Sequence, residues 1–501
     1  MDLFSNLILG FSVALSLQNL AYCFLGVFVG TAIGVLPGVG PLVTIAVLLP
    51  LTFGLPPESA MIMLAGIYYG AAYGGSTTAI LVNLPGEASA AVTCLDGYQM
   101  ARQGRAGPAL GIAAIGSFVA GTIGTLLIAL FAPPLTKLAL SFGAPEFFSL
   151  ILLALTTTAV LVRGSVIKGV AVAFMGVTFG LAGIDVTSGL ERFTFGLPRL
   201  MDGIEFVVVA MGLFALTEII TNLEVEEHRE VFTSKVKNLW PSRDDLKRSV
   251  GPILRGTAVG SFFGILPGAG QTISSFAAYA IEKKVSRHPE KFGTGMIEGV
   301  ASPESANNAA SQGAFIPTLT LGIPGSAVMA LMLGALMMQG ITPGPRVMTS
   351  HPEIFWGLIA SMWIGNLMLV ILNLPLIGLW VTMLKIPYRW LFPLILTFSC
   401  VGVFAVNFST MDIWLMVFFG VLGYVFLKLG CEAAPFILGF LLGPMLEENF
   451  RRSMLLSRGS LDIFITKPIS AGLLALTALV LVMMLFPKVR RKKDQAIVEG
   501  G

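Results

Sequence analysis

The strongest constraint on the fold is an internal duplication. Residues 30–40 read GTAIGVLPGVG and residues 260–270 read GSFFGILPGAG, so six positions match at an offset of 230. A second pair of segments, 83–86 (NLPG) and 322–325 (GIPG), matches at an offset of 239. The matched positions are helix-breaking Pro-Gly pairs inside apolar sequence, a pattern typical of secondary transporters that are built from two repeats.

The composition indicates a membrane protein. Hydrophobic residues make up 55% of the chain and charged residues 12%, whereas a soluble domain carries about 25% charged residues. Apolar stretches of roughly 20 residues, each able to cross ~30 Å of hydrocarbon, recur along the whole length. The net charge of +3 is too small to indicate nucleic acid as a partner, so we expect membrane lipid and no nucleic acid around this chain.

The apolar segments form two repeats, each with a re-entrant hairpin that has a Pro-Gly tip, a broken transmembrane helix and four further spans. We therefore predict an all-α polytopic membrane protein with about 10 spans plus 2 hairpins, or about 12 by simple counting. The hairpins are expected at about 20–53 and 252–280, and the broken helices at about 59–94 and 300–338.

The predicted divisions cover the whole chain. They are an interfacial amphipathic helix at 1–19, repeat 1 at 20–222, a cytoplasmic linker at 223–249, repeat 2 at 250–446, a C-terminal loop and last transmembrane helix at 447–487, and a cytoplasmic tail at 488–501. For the first division, a short extra transmembrane helix is the alternative interpretation.

The distribution of basic residues predicts the orientation. A hairpin returns to its own side, so each repeat crosses an odd number of times and the two repeats are expected to be inverted. One set of loops carries 22 Lys and Arg residues and the opposite set carries 8. The positive-inside rule then places the central linker and the C-terminus in the cytoplasm and the N-terminus outside. The weakest part of this topology is 447–468, which is basic yet assigned outside.

The Pro-Gly breaks point to a ligand site. Proline removes a backbone donor and glycine permits positive φ, so a helix that ends there leaves unpaired N–H and C=O groups inside the membrane. Such backbone is viable only where it is buried in protein or lines a polar cavity. We expect the breaks to converge near the midplane. Packing of small residues in the GxxxG manner is the alternative, and Gly30-Gly34 and Gly260-Gly264 fit it equally well.

Uncharged polar side chains lie directly before the second break of each repeat. Ser76-Thr77-Thr78 precedes the first NLPG segment, and Asn307-Asn308 with Ser311 precedes the second-half counterpart. At membrane depth these groups are costly unless paired, and a carboxylate substrate or its coupling cation could pair them. Interhelical hydrogen bonding is the alternative for each residue. Four acidic residues flank these segments, and we expect them at the interface rather than buried: Glu87, Asp96, Glu298 and Glu304.

The motifs that carry these features are GTAIGVLPGVG, YYGAAYGGSTTAILVNLPGE, DGYQMARQGRAGPAL and SPESANNAASQGAFIPTLTLGIPGS. In them the sequence resembles the large membrane subunit of the bacterial tripartite tricarboxylate transporters, the TctA family, over nearly the full length. The resemblance implies an inner-membrane protein with a small four-span membrane subunit and a periplasmic substrate-binding protein as partners. It also implies an organic-anion substrate, uptake coupled to an ion gradient, commonly sodium, and no cofactor.

Matching the motifs residue by residue gives the candidate sites. The substrate-binding candidates are Ser76, Thr77, Thr78, Asn83, Gly86, Asn307, Asn308, Ser311 and Gly325. The Na⁺ candidates are the hairpin-tip glycines Gly38, Gly40, Gly268 and Gly270, where a backbone held open by Pro-Gly-x-Gly presents carbonyl oxygens that no helix hydrogen bond uses. Glu87, next to the first-half break, is a candidate proton or cation site. No transition metal is expected.

Two other functional classes are less consistent with the sequence. An intramembrane enzyme needs paired catalytic groups within the spans, but the three histidines fall in loops and neither HExxH nor GxSxG occurs, so we expect no enzymatic activity. An anion channel or pore with re-entrant loops is the alternative function. Unlike polar clusters in two inverted halves favour alternating access around one site, because pores usually need several-fold symmetry. We therefore predict ion-coupled secondary uptake of a carboxylate anion of the tricarboxylate type.

Overall fold

The computed structural model describes residues 3–36, 40–161, 165–185, 187–224, 239–266, 270–384 and 388–485. Within these segments the chain is helical, apart from loops and one antiparallel pair of short strands, β1 (Gly183–Ile184) and β2 (Glu191–Arg192). Four 3₁₀ turns accompany the helices, at Leu49–Thr52, Ala88–Ala90, Pro198–Leu200 and Pro289–Lys291.

The first half contains α1 (Leu3–Ala14), α2 (Leu17–Gly34), α3 (Pro41–Leu48), α4 (Pro57–Val82), α5 (Ala91–Arg102), α6 (Ala106–Ala139), α7 (Ala144–Leu161), α8 (Val166–Gly180), α9 (Phe206–Ala210) and α10 (Thr217–Glu224). A π-helical segment, Met211–Leu216, joins α9 to α10, so that Phe206–Glu224 runs as one helix.

The second half contains α11 (Arg243–Ile265), α12 (Gly270–Val285), α13 (Glu298–Gly313), α14 (Phe315–Leu321), α15 (Ala327–Met338), α16 (Val347–Ser350), α17 (Pro352–Asn373), α18 (Ile377–Met383), α19 (Tyr388–Asn407), α20 (Thr410–Lys428), α21 (Ala434–Leu456), α22 (Ile463–Thr466) and α23 (Pro468–Leu485). The predicted hairpins correspond to α2 with α3 and to α11 with α12. The predicted broken helices correspond to α4 with α5 and to α13, α14 and α15.

Five described helices are long and apolar enough to cross a membrane: Leu17–Gly34, Ala106–Ala139, Phe206–Glu224, Pro352–Asn373 and Thr410–Lys428. Shorter apolar helices, among them α1, α7, α8 and α15, accompany them. The prediction of an all-α, multi-pass membrane protein is confirmed. The number of spans stays a prediction.

The two halves repeat one close helix contact. A Cβ placed on Gly30 of α2 would lie 2.4 Å from the carbonyl oxygen of Ile67 on α4, and a Cβ on Gly260 of α11 would lie 2.2 Å from that of Ala306 on α13. The flanking contacts repeat in the same way: Gly26–Met63 with Gly256–Ser302, and Gly34–Ala71 with Gly264–Ala310. The glycines differ by 230 and their partners by 239, the two offsets of the sequence duplication. These glycines therefore serve helix packing.

Helices of the two halves also pack on each other reciprocally. α6 packs on α13, and α17, which occupies the corresponding place in the second half, packs on α4. In the same way α11 contacts α6 while α17 contacts α2, and α5 contacts α13 while α15 contacts α4. Farther out, α8 packs on α21 and α20 packs on the π-helical segment. α6 and α17 also pack on each other.

Polar contacts join loops that the count of basic residues assigns to the same side. On the predicted cytoplasmic side these are Arg105–Asp245 at 2.5 Å and Lys168–Leu429 at 2.6 Å; on the predicted outer side they are Arg199–Asp412 at 3.0 Å and Arg451–Asp185 at 2.9 Å. The last pair brings the start of the uncertain segment 447–468 next to the β1–β2 loop. Hydrogen bonds from Thr187 and Ser188, together with Arg451, lower the pKa of Asp185 to about 2.

Candidate functional site

One face of α13 is polar although the helix is buried. Glu304, Asn307, Asn308 and Ser311 are spaced at i, i+3, i+4 and i+7, so they share a face, and none is more than 5% exposed. The helix packs on α4, α5 and α6. The polar segment of the second half therefore meets the polar end of α4 from the first half.

Glu304 lies at the centre of this cluster. Its carboxylate accepts a hydrogen bond at 2.5 Å from Ser76 Oγ on α4 and another from Thr93 Oγ1 on α5. Both hydroxyls belong to the first half and the carboxylate to the second, so the two bonds connect the halves. Among the described residues no Lys, Arg or His forms an ion pair with Glu304.

The neighbouring residues on the same face make further cross-half bonds. Asn307 Nδ2 donates to Glu87 Oε1 at 2.9 Å, and Asn308 Nδ2 donates to Ser117 Oγ on α6 at 2.7 Å. Ser311 Oγ accepts from Gln271 Nε2 of α12 at 2.5 Å. The Oδ1 atom of Asn307 is buried and has no hydrogen-bond partner in the described part of the chain. A buried acceptor without a partner is uncommon and is a place where a ligand can donate or coordinate.

A narrow pocket opens beside the cluster, with an empty volume of about 360 Å³ including its mouth. Its polar lining comes from both halves: Tyr73, Ser76, Thr77, Ser117, Glu304 and Asn373. The apolar lining comes from α6, from the end of α17 with α18, and from Leu239. Tyr73 also donates to Asn366 Oδ1 on α17 at 3.1 Å. The pocket therefore places polar groups of both repeats around one space.

The helix breaks have the same backbone geometry in both halves. α4 ends at Asn83, which has φ 59°, and α14 ends at Gly322, which has φ 71°. These residues are 239 apart. The left-handed conformation ends a helix, and Asn and Gly are the residues that adopt it most readily. Asn83 is exposed at this cap, so its local role is to end α4.

The predicted substrate residues divide into two groups. The structure brings together Ser76, Asn307, Asn308 and Ser311, and Thr77 lines the pocket. Thr78 is fully buried and donates to Gly75 O of its own helix at 2.8 Å, so its hydroxyl is already satisfied. Thr78 thus contributes no free polar atom to the cluster, and Asn83 is exposed at the end of α4.

Gly86 and Gly325 follow the prolines of the second helix break in each half. Gly86 packs against the α2–α4 pair, because a Cβ there would lie 2.5 Å from Gly75 Cα and 2.7 Å from Gly34 O. Gly325 is buried and directly precedes Ser326, whose side chain caps the start of α15 by accepting from Met329 N at 3.3 Å. Gly86 therefore has a steric requirement for glycine, and the break at Gly325 opens onto a helix N-terminus.

The described parts of the hairpin tips are helix starts. Gly40 has φ −77° and ψ 178° and precedes α3, and its carbonyl accepts from Thr44 N at 3.1 Å and from Thr44 Oγ1 at 2.9 Å. Gly270 has φ 55°, begins α12, and its carbonyl accepts from Ser274 Oγ at 2.7 Å. Hydrogen bonds therefore already use the carbonyl oxygens of Gly40 and Gly270, whereas Gly38 and Gly268 lie outside the described residues. Within the described segments no three His, Cys, Asp or Glu side chains come together as a metal site.

The expectation that the acidic residues lie at the interface is wrong for two of them. Asp96 is 0% exposed and Glu304 is 1% exposed. Asp96 is satisfied internally, because its Oδ1 accepts from the backbone N–H groups of Gly293, Gly295 and Met296. Glu298 is only partly buried and pairs with Arg248 at 2.9 Å.

Residues that sequence reasoning did not assign to the site are Glu304, Thr93, Ser117, Asn366 and Gln271. The helical spacing of Glu304 with Asn307, Asn308 and Ser311 is a signal that could have placed the carboxylate on the polar face. The other four lie on helices whose contacts with α13 and α4 depend on the tertiary fold. Spacing within one segment does not reveal such contacts.

The chain is similar to known proteins over most of its length. A family model described as "Tripartite tricarboxylate transporter TctA family" matches residues 20–438. The chain is 56% identical over 499 residues to the Agrobacterium vitis "Uncharacterized 52.8 kDa protein in TAR-I ttuC' 3'region", covering 100% of this chain and 99% of that protein. It is 58% identical over 240 residues to the "Uncharacterized protein in TAR-II ttuC' 3'region" of the same organism, covering 48% of this chain and 99% of that protein. No solved structure matches it.

Proposed function

Because the chain belongs to the tripartite tricarboxylate transporter TctA family, we propose that it is the translocating subunit of a transporter that takes up a tricarboxylate-type anion across the bacterial inner membrane. Uptake is secondary active transport coupled to an ion, with Na⁺ as the coupling ion. The partners are a small four-span membrane subunit and a periplasmic substrate-binding protein. The family is one of transporters, and the chain's role within it is to form the path through the membrane.

The observation that carries this proposal is the buried polar cluster at the helix breaks. Amide, hydroxyl and carboxylate groups of α4, α5, α6 and α13 are held together inside an otherwise apolar protein. Polar groups at membrane depth are costly and mark substrate or ion paths. Since the contributing helices come from both halves, a relative movement of the halves would open the cluster to one side at a time.

Two closely packed helix pairs, one in each half, are expected to move as rigid bodies. α2 with α4 and α11 with α13 pack through glycines with their backbones in contact, so neither pair can slide without losing that contact. The polar bonds of the site, by contrast, run between the pairs, from Ser76 to Glu304 and from Asn307 to Glu87. Inverted repeats and alternating access are therefore the arrangement that we propose, with rocking of one half against the other.

The helix starts at the breaks supply donors for an anion. α3, α12 and α15 each begin next to a Pro-Gly break, where first-turn N–H groups have no helix partner and the helix dipole is positive. Asn308 donates to Ser117 Oγ and to Glu304 O, so it fixes the orientation of the polar face of α13 beside the pocket. A substrate carboxylate held by these donors needs a cation to balance its charge, which is the reason for coupling to Na⁺.

The proposed orientation places the N-terminus outside and the C-terminus in the cytoplasm. In a variant without the natural cysteines, Leu55→Cys and Ser409→Cys are expected to react with an impermeant maleimide in intact cells. Lys237→Cys and Lys284→Cys are expected to react only after permeabilisation, because positively charged loops stay inside. Leu55 and Lys284 follow corresponding hairpins, so labelling of both from the same side would contradict inverted repeats.

Reconstitution tests the proposed function. In vesicles that hold this chain and the small subunit, we expect little uptake until the ligand-loaded binding protein is added outside. We also expect uptake to stop when choline replaces Na⁺. The probe is the radiolabelled ligand identified from the purified binding protein. Robust uptake without the binding protein would contradict the tripartite proposal. Passive flux of the anion without any gradient would favour a channel.

A further inference from the structure

Glu304 differs from the other buried carboxylates in its partners. Among the described residues, four buried carboxylates pair with arginine, namely Asp185, Asp245, Glu282 and Asp412. Two more accept backbone N–H groups, namely Asp96 and Glu146. Glu304 is 1% exposed, and the described structure gives it only two neutral hydroxyl donors. A buried ionised carboxylate with neutral partners alone is strongly disfavoured and takes up a proton or a cation.

The residues that the structure describes place no positive charge beside the Glu304 carboxylate. Described titratable groups around it include Tyr73 on α4, Cys94 on α5 and Glu87 at the break, and none of these carries a positive charge in any protonation state. Glu87 accepts a hydrogen bond from Asn307, one turn after Glu304, so a second acidic group contacts the same face of α13.

The basic side chains of the helices packed on α13 are directed elsewhere. On α11, Arg248 pairs with Glu298 and Arg255 pairs with Glu282. The other two bases of this helix are exposed: Arg243 and Lys247. On α5 and α6 the bases are Arg102 and Lys137, which lie in the last turns of those helices. The lysines of α12, likewise, are in its last turn. The missing positive charge is therefore not supplied by the described residues.

A second feature indicates that a cation fits here. Asn307 is 1% exposed, lies one helical turn after Glu304 on the same face of α13, and has a buried Oδ1 without a partner. The O–H groups of Ser76 and Thr93 donate hydrogen bonds to Glu304, and their oxygens keep lone pairs that can still accept or coordinate. The cluster around Glu304 thus contains several oxygens that can accept a further bond, and no described basic side chain pairs with them.

We propose that Glu304, with the hydroxyls of Ser76 and Thr93, binds the coupling cation. The proposed function names Na⁺ as this cation, and a proton is the other outcome of the test below. This inference rests on the proposed function and assigns its ion site to the cluster rather than to the hairpin tips. Binding of the cation removes a negative charge from the cluster, which lowers the repulsion that an anionic substrate meets there. Because Glu304 belongs to one half and both hydroxyls to the other, a loaded site also ties the halves together.

The test uses Glu304→Gln in the complete transporter, reconstituted with the small subunit and the binding protein. Glutamine has the shape of a protonated glutamate and cannot release the proton or carry the charge. We expect uptake driven by an ion gradient to fall to background, while exchange of external for internal substrate stays near the wild-type rate. Glu304→Asp, which keeps the carboxyl group, is expected to recover part of the gradient-driven uptake. Glu298→Gln is the matched control, since it removes a carboxylate from the same helix outside the cluster.

Two further measurements distinguish Na⁺ from a proton as the bound cation. If the ion is Na⁺, the wild-type complex gains thermal stability in Na⁺ relative to K⁺ and the Glu304→Gln complex does not. If the ion is a proton, exchange by the wild-type complex varies with pH and exchange by the variant does not. Either result supports the site.

Three possible results show whether the proposed ion site or the proposed transport function is wrong. If the Glu304→Gln variant keeps the gradient-driven uptake of the wild type, the proposed ion site is wrong. Loss of exchange along with uptake in a well-assembled variant would also overturn it, because Glu304 would then be needed for the substrate itself. A wild-type complex with neither uptake nor exchange would instead contradict the proposed function.

Discussion

Replacing Gly34 with alanine is expected to prevent stable assembly of the protein, and Gly264→Ala is expected to do the same from the second half. A Cβ on Gly34 would lie 2.4 Å from Ala71 O and 2.6 Å from Ala71 Cα, and one on Gly264 would lie 2.6 Å from Ala310 O. These neighbours are backbone atoms of buried helices and cannot rotate away. Overpacking costs about 1–3 kcal/mol where side chains can adjust, so a backbone clash is expected to cost more. The measurement is the thermal unfolding midpoint of the detergent-solubilised chain, with size exclusion to score assembly.

Gly472→Ala is the matched control for these variants. Gly472 also lies in a helix, α23, but nothing lies within 4 Å of a Cβ placed there. Alanine is a better helix former than glycine by roughly 1 kcal/mol, so this variant is expected to be at least as stable as the wild type. A Gly34→Ala variant with a wild-type unfolding midpoint would show that α2 and α4 are not in backbone contact.

The duplication was the part of the fold that the sequence predicted most fully. Its two offsets, 230 and 239, reappear in the glycine contacts and in the left-handed caps at Asn83 and Gly322. Backbone constraints of this kind leave a local signature, because only a few residue types tolerate positive φ or direct contact between backbones. The same fact explains why the glycines before each proline were open to two interpretations: a packing glycine and a glycine at a site look alike in one sequence.

The candidate site was predictable in composition but not in detail. The two polar segments did come together, yet the acidic residue between them was expected at the interface. A carboxylate is normally kept out of the interior, and only the packing of α13 against α4 and α5 revealed that Glu304 is buried beside Ser76 and Thr93. Thr78 shows the opposite case. Its place in a polar run favoured a ligand role, whereas its hydroxyl bonds to its own helix, a competing partner that the sequence cannot rank.

The second large effect is expected from Asn308→Ala, which should remove most uptake while the protein still assembles. Asn308 Nδ2 donates to Ser117 Oγ at 2.7 Å and to Glu304 O at 3.1 Å, so it fixes the polar face of α13 to α6 beside the pocket. We expect a substrate carboxylate to replace Ser117 Oγ or Glu304 O as the acceptor of one of these bonds. A hydrogen bond to a charged group contributes about 1.5–3 kcal/mol, or roughly 10- to 100-fold in affinity. The measurement is initial uptake rate against substrate concentration in reconstituted vesicles.

Asn19→Ala separates a site effect from a loss of stability. Asn19 is as buried as Asn308, at 5% exposure, and its amide also makes two hydrogen bonds: Nδ2 donates to Val13 O at 2.9 Å and Oδ1 accepts from Ser59 Oγ at 2.6 Å. It lies near the start of α2, far along the helix from its end at Gly34. Removing either amide leaves buried partners unpaired, so both variants are expected to lose similar stability, about 1–3 kcal/mol. Only Asn308→Ala should then change uptake, because only that amide touches the cluster. Equal uptake in the two variants would remove Asn308 from the substrate path and leave it a packing role between α13 and α6.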